Sequence, residues 1–274
     1  MGIRINTNVA SINTQRHLYN TTINFNKSME KLSSGLRVNR AADDAAGLAI
    51  SEGLRSDIRA LEQASRNASD GISLVQTAEG ALDEVSTILL RLRELTEQSL
   101  NGTLTDAERG YLDSEYQALL EEIDRIAAST EFNGISLLDG SGGSVSIQVG
   151  INTNAYDSIA VDLATNRDSA TLGLTTGVGT AVDSATAMGQ VLAAIDNVSA
   201  ARSDFGAIQN RLESSIRNIN NQAENLSAAN SRIRDVDVAN ETSRLTSYQI
   251  LQQAGISMLA QANLTTGLAM TLLS

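Results

Sequence analysis

The chain of 274 residues contains no proline. Average usage is near 5%, which corresponds to roughly a dozen prolines in a chain of this length. Proline interrupts a helix because it lacks an amide donor and because its ring clashes with the preceding turn. A chain without proline can therefore form very long uninterrupted helices.

The second half of the sequence has a continuous heptad pattern. Positions spaced alternately three and four apart are apolar at eleven of fourteen places, which is typical of a coiled-coil seam. Such a helix is roughly 70 Å long at 1.5 Å per residue, and it needs partner helices of similar length. The fourteen positions are Met188, Val191, Ile195, Val198, Arg202, Phe205, Gln209, Leu212, Ile216, Ile219, Ala223, Leu226, Asn230 and Ile233.

The first half of the sequence supplies the partner helices. One seam comprises Leu54, Ile58, Leu61, Ala68, Ile72 and Val75, and after a one-residue slip it continues through Leu82, Val85, Leu89 and Leu92. Thr105 and Glu108 form a capping-box pattern, which predicts that a third helix begins after the Asn101–Gly102 turn. The apolar face of this third helix comprises Leu112, Tyr116, Leu119, Ile123 and Ile126. Three seams predict a rod of three packed helices.

The segment from about residue 133 to residue 182 has a different pattern. Asn133–Gly134 and the glycine-rich run at 140–143 are turn signals. Apolar and polar residues alternate in 145–149 and again in 159–163, which predicts one β-hairpin over about 144–164. The glycine- and threonine-rich run at 173–180 predicts a loop that leads into the long helix.

Both ends of the chain carry more apolar surface than a single helix pair can cover. A monomer would leave this surface exposed to water, so we expect other subunits to bury it. The residues expected at these subunit contacts are Ile5, Val9, Ile12, Leu18, Phe25, Leu32, Leu36, Ile250, Leu251, Ile256 and Leu259.

Composition argues against several classes of function. The net charge of −12 disfavours general nucleic-acid binding, although residues 1–40 are locally basic. That basic stretch favours a solvated or partner-facing helix over a membrane or nucleic-acid arm. We expect no membrane span, because no run of 18 apolar residues occurs, and no secretory signal peptide. The absence of cysteine excludes disulfides and thiolate metal sites.

The sequence offers no convincing catalytic or metal-binding constellation. His17 is the only histidine, so a zinc-peptidase motif with two histidines is impossible. Asp43–Asp44 and Glu121–Glu122 are adjacent pairs, whose members point to different helix faces. We therefore expect no catalytic site, no cofactor and no metal.

Six segments, in the same order along the chain, resemble the bacterial flagellin family. Near the N-terminus these are the stretch 5–8, the motif Leu-Ser-Ser-Gly-Leu-Arg at 32–37, Asp-Asp-Ala-Ala-Gly at 43–47 and the stretch 63–73. Near the C-terminus, Gln-Ile-Leu-Gln-Gln-Ala-Gly at 249–255 and Leu-Ala-Gln-Ala-Asn at 259–263 complete the match. The sequence departs from the family after Asn263, where Leu264-Thr265-Thr266-Gly267 replaces a Gln- and Pro-containing stretch.

The resemblance implies a mainly α fold, with a long coiled-coil-like helical rod, one small β-hairpin and paired terminal helices that form an inner domain. The expected parts are an N-terminal inner-core helix at 1–44, the N-terminal part of the rod with its hairpin at 45–182, a C-terminal rod helix at 183–234 and a C-terminal inner-core helix at 235–274. Outer variable domains are expected to be missing, since only a short loop joins the hairpin to Ala181.

The resemblance also implies a function. We expect a structural subunit, not an enzyme, that leaves the cell through the flagellar export apparatus and polymerises into the extracellular filament for motility. Its expected partners are other copies of the same chain, a filament cap protein, hook-junction proteins and an export chaperone. The alternatives are a hook–filament junction protein of the same superfamily and an exported adhesin or hydrolase.

One surface resembles the flagellin stretch that a vertebrate Toll-like receptor recognises. The sequence Leu90-Arg91-Leu92-Arg93-Glu94-Leu95 matches it in part. Carried over residue by residue, the resemblance implies receptor contacts at Leu90, Arg91, Leu95 and, on the facing helix, Glu115. The alternative is a plain helix surface with an Arg91–Glu94 pair.

Overall fold

The computed structural model describes the backbone of residues 7–271 and the side chains of residues 7–264. These residues form five α-helices and four short strands, so the expected mainly α fold is confirmed. The helices are α1 (Val9–Ser34), α2 (Ala45–Ser99), α3 (Asp106–Ser129), α4 (Ala181–Arg234) and α5 (Val238–Thr271).

Local signals in the sequence determine where several helices begin and end. The Asn8 side chain accepts a hydrogen bond from the Ser11 amide and caps α1, which ends at Gly35 in the left-handed conformation (φ 72°). At the start of α3, the capping box of Thr105 and Glu108 is complete, with both reciprocal hydrogen bonds formed. These bonds satisfy amides that have no partner within the helix.

The strands form two antiparallel hairpins, one more than the single hairpin that the sequence predicted. In the larger one, β3 (Gly143–Gln148) pairs with β4 (Ser158–Leu163), so the predicted hairpin over about 144–164 is confirmed. The smaller one joins β1 (Glu131–Phe132) to β2 (Ile135–Ser136). Asn133 and Gly134, predicted only as a turn, both have positive φ, a conformation that closes tight hairpins.

The described chain divides into two compact units. The first, called here the terminal unit, combines residues 7–56 with residues 225–271. The second, called here the central unit, comprises Asp57–Glu224. Among residues 7–271, no helix contains a window that is long and apolar enough to cross a membrane.

In the central unit, the seam of α2 runs without a slip, and the predicted one-residue slip is wrong. It follows a strict alternation of three and four residues, because small residues occupy positions where the sequence pattern seemed to break. Its members are Leu61, Ala64, Ala68, Gly71, Val75, Ala78, Leu82, Val85, Leu89, Leu92, Thr96 and Ser99, all buried.

The buried faces of α3 and α4 are displaced by one position from part of the predicted seams. On α4, Ala187, Ala194 and Ala201 are buried, whereas the predicted Met188, Ile195 and Arg202 are only half-buried. On α3, Leu120 and Ala127 are buried instead of Leu119 and Ile126. Small side chains allow helices to approach closely, so larger neighbours lie at the flanks of the seam.

Helices α2 and α4 run in opposite directions in this unit. Ser99 at the end of α2 lies 2.8 Å from Ser184 near the start of α4, and further along, Asp83 forms an ion pair of 3.0 Å with Arg202. The larger hairpin packs on α2, where a β-carbon added to Gly71 would overlap the Ile147 side chain.

Candidate assembly surface

The terminal unit is built on an antiparallel pair of helices, α1 and α5. Hydrogen bonds connect them near both ends of the pair. The Asn8 side-chain amide donates to the carbonyl of Ala262 (2.9 Å), and the Ser11 hydroxyl donates to the Asn263 side chain (3.0 Å). At the other end, the Ser28 hydroxyl donates to the Glu241 carboxylate at 2.5 Å.

Ser28 and Glu241 are both buried, which is unusual for these residue types. A buried carboxylate is costly unless it accepts hydrogen bonds, and the Ser28 hydroxyl supplies one. Arg244, one turn further along α5, places Nη1 3.8 Å from the second carboxylate oxygen. The buried hydrogen bond between Ser28 and Glu241 therefore favours one alignment of α1 against α5.

The short links between helices are joined to each other in the same unit. Leu36 and Asp235 form an isolated β-bridge. The Arg37 amide donates to the carbonyl of Arg234 (2.6 Å), and the Arg37 side chain donates to the carbonyl of Ile233 (2.6 Å). The links that follow α1 and α4 are thus held side by side by these hydrogen bonds.

The α1–α5 pair leaves much apolar surface uncovered. Of the residues predicted at subunit contacts, five are more than half exposed: Val9, Ile12, Ile250, Leu251 and Ile256. Leu18, Phe25, Leu32, Leu36 and Leu259 are half-buried, and Ile5 lies outside the described residues. We call the five exposed residues the terminal apolar surface.

Further exposed apolar side chains extend this surface. Tyr19, Met29 and Met258 are exposed and lie outside the predicted set of subunit contacts. Val238 and Leu264 are also exposed. Tyr19 follows Ile12 by seven residues and Met29 follows Phe25 by four, so both lie on the heptad stripes of α1 that contain predicted contacts.

The residues that resemble a receptor-binding stretch lie in the central unit on α2 and α3. Arg91 forms ion pairs of 2.8 Å with Glu94 on its own helix and with Glu115 on α3, and these carboxylates raise the pKa of Arg91. Leu90 is half exposed. Leu95 is completely buried, so its assignment as a receptor contact is corrected: it packs in the core.

Three carboxylates of the acidic pairs considered as metal ligands, Asp43, Asp44 and Glu122, have local structural roles. Asp43 accepts hydrogen bonds from the amides of Arg40 and Asn39, and these bonds, chiefly that from Arg40, lower its pKa. Asp44 accepts from the amide of Gly47 in the first turn of α2. Glu122 forms an ion pair with Arg125 on the same helix. Within the described side chains, no three histidine, aspartate or glutamate residues cluster as a metal site would require.

Paired end helices with an uncovered apolar surface define a class of protein: a helical subunit that assembles with others. Family comparison makes this specific. Residues 5–143 match the bacterial flagellin N-terminal helical region, and residues 188–273 match the bacterial flagellin C-terminal helical region. The chain belongs to the bacterial flagellin family.

Whole-length relatives agree with this assignment. A flagellin of Halalkalibacterium halodurans is 51% identical over 94% of this chain and 95% of its own length. A flagellin of Bacillus subtilis is 45% identical over 95% and 96% of the two chains. The flagellar filament 33 kDa core protein of Treponema phagedenis is 43% identical over 98% and 99%. The chain is thus a structural subunit of the flagellar filament, an extracellular part of the flagellum.

Solved structures show the same fold. Bacillus cereus flagellin aligns with a TM-score of 0.51 and 35% identity, covering 60% of this chain and 94% of that one. A protein described as flagellar hook-associated, from Vibrio parahaemolyticus, aligns with a TM-score of 0.59 at 14% identity, covering 70% and 100%. At this identity, the second likeness concerns the fold alone. The fold therefore does not distinguish filament subunits from hook-associated proteins, whereas the sequence matches to flagellins do.

Proposed function

We propose that the terminal apolar surface is the contact by which this flagellin joins neighbouring copies. The supporting observation is the exposure of Val9, Ile12, Ile250, Leu251 and Ile256 on a helix pair that has no other cover among the described residues. Burial of a large apolar side chain contributes roughly 1.5–3 kcal/mol, part of which is offset by the cost of association. Several such side chains from each subunit supply enough free energy for a polymer.

In this proposal, residues 1–44 and 235–274 form the inner domain, and residues 45–182 and 183–234 form the rod. The helix breaks after Ser34 and after Arg234 support these boundaries. Contacts of one subunit with the next are heterologous, and a rotation that does not close produces a helical tube.

The other partners are proposed from family membership. They are an export chaperone, a cap protein at the growing end and hook-junction proteins, with passage through the flagellar export apparatus. The role is mechanical and involves no catalysis. Leu90, Arg91 and Glu115 are the proposed contact with a vertebrate Toll-like receptor, supported by the exposed Leu90 and by the ion pair of 2.8 Å that holds Arg91 and Glu115 together.

Two substitutions on the terminal apolar surface test the assembly proposal directly. We expect Ile250→Ser with Leu251→Ser to abolish filament growth, whereas Thr246→Ser with Ser247→Thr, exposed positions on the same helix, should leave it intact. Sedimentation and electron microscopy measure polymer, and circular dichroism checks that the monomer is folded. Normal filaments from the first double variant would refute the proposal.

Deletion of residues 1–40 or of residues 235–274 is the broader version of the same test. We expect either truncation to prevent filament formation. The helical content of the central unit should remain unchanged. Filaments formed by either truncated chain would contradict the assignment of these segments to subunit contacts.

A further inference from the structure

Within the described part of the central unit, fully buried polar residues occur in the seam only toward one end of the helices. From Leu61 to Leu92, each buried seam position of α2 is apolar or glycine. The next two are Thr96 and Ser99, and the facing α4 begins its seam with Ser184. All three are completely buried.

The Ser99 and Ser184 hydroxyls belong to one hydrogen-bond network, whereas the Thr96 hydroxyl donates to the carbonyl of Arg93 on its own helix. Ser99 donates to the carbonyl of Val178 at 2.7 Å. Ser184 lies 2.8 Å from the Ser99 hydroxyl and 2.7 Å from the carbonyl of Thr180. From α3, the buried Arg109 guanidinium donates to the carbonyl of Ser99 at 2.8 Å. Three helices and the connection before α4 therefore meet in this network.

The rest of the seam does little to select an alignment. Alanine, leucine and valine recur at heptad spacing, so a shift of one helix by seven residues, about 10 Å along the axis, again places apolar groups against apolar groups. At the polar end such a shift is costly. A shift in one direction would set Ser99 against Val191, and a shift in the other would set Ser184 against Leu92. Either shift would leave buried hydroxyls and carbonyls without partners.

We propose that Ser99 and Ser184, with the carbonyls of Val178 and Thr180, form a register clamp for α2 and α4. The register clamp selects one of several heptad alignments that the apolar seam permits. A single buried polar residue at a seam position selects alignment in coiled coils by the same physics. The register clamp thereby determines which surface groups of the two helices face each other, including the Asp83–Arg202 ion pair.

The test measures the alignment itself. The chain has no native cysteine, so spin labels can be placed by single substitutions at exposed Thr77 on α2 and Ala193 on α4. Pulsed electron paramagnetic resonance on the full-length monomer then gives the label-to-label distance. The labelled chain that keeps Ser99 and Ser184, called here the parent, should show one label-to-label distance. Ser99→Ala with Ser184→Ala should add a second population, changed by roughly 10 Å.

A matched control replaces two exposed serines on the same helices, Ser69→Ala with Ser203→Ala, and should keep the parent distance. A single parent-like distance in the Ser99→Ala, Ser184→Ala variant would overturn the register clamp. Unfolding of that variant, seen by circular dichroism, would also overturn it, because the network would then supply stability and not alignment.

Discussion

Tyr116 is a buried residue whose hydroxyl lacks a hydrogen-bond partner within the described part of the chain. An unsatisfied buried donor costs free energy, whereas an apolar replacement of the same shape does not. We therefore expect Tyr116→Phe to leave the free energy of unfolding unchanged or to raise it by about 1 kcal/mol. Thermal denaturation measures this, with Tyr156→Phe, at an exposed position, as the control. A clear loss of stability in Tyr116→Phe would indicate a hidden partner.

The same residue predicts a dependence on pH. Burial, with a smaller contribution from the Asp113 charge, raises the pKa of Tyr116 from 10.0 to about 12. Between these values the unfolded chain ionises this phenol and the folded chain does not, so stability is lost as pH rises through this range. Below pH 10 the effect is absent. Between pH 10 and 12, the free energy of unfolding of the unsubstituted chain should therefore fall by up to about 2–3 kcal/mol relative to that of Tyr116→Phe. Equal changes in the melting temperatures of the two proteins over this pH range would contradict this prediction.

At the scale of secondary-structure elements, the one-position displacement of the seam predicts the order in which alanine substitutions on α4 reduce stability. Ile219 is buried on α4, whereas Ile216 is half-buried and Asn220 is exposed. We expect Ile219→Ala to cost about 2–5 kcal/mol through lost burial and a cavity. Ile216→Ala should cost clearly less, and Asn220→Ala should stay within about 0.5 kcal/mol. Chemical denaturation of the monomer gives the order, and equal effects at Ile216 and Ile219 would disprove the displaced seam.

The larger hairpin packs closely on α2 because residue 71 is a glycine and has no side chain. A β-carbon at residue 71 would overlap the Ile147 side chain, its Cδ1 atom most closely. Gly71→Ala should therefore destabilise the central unit by about 1–3 kcal/mol despite alanine's better helix propensity. Ile147→Val removes the overlapping methyl group, so the double variant should recover most of the loss. A double-mutant cycle measures this coupling, and strictly additive effects would show that the two positions do not interact.

At the scale of the whole molecule, the two units are expected to differ in stability. The terminal unit exposes its apolar surface in a monomer, and segments with few buried contacts open most easily. We expect limited proteolysis to trim the monomer to roughly residues 45–235 and to spare the same bonds in the filament. Mass spectrometry of the fragments identifies the cuts. Equal resistance of monomer and filament would show that assembly does not order the ends.

Charge also separates the two units. Ten arginines and 25 acidic residues lie in Asp57–Glu224, so the central unit has a net charge of −15, whereas the remaining residues together have +3. Like charges on neighbouring subunits repel, and this repulsion is screened by salt. If the terminal unit makes the proposed apolar contacts, the free energy of those contacts must exceed the repulsion between central units for a filament to form.

Sequence by itself determined the elements that depend on local chemistry. The absence of proline and the heptad spacing predicted the long helices, Thr105 and Glu108 predicted the start of α3, and alternation predicted the larger hairpin. Family motifs at both ends predicted the class of protein. These features are local or depend on spacing along the chain, so no knowledge of partners was needed.

Only the tertiary structure decided which face of each helix is buried. Large apolar residues such as Ile195 and Ile126 suggested one face, but the packed helices bury the adjacent alanines, Ala194 and Ala127. It also showed that Leu95 belongs to the core and that Ser99 and Ser184 meet. The physical reason is that burial depends on how closely neighbouring helices approach, and that distance is set jointly by side chains far apart in the sequence.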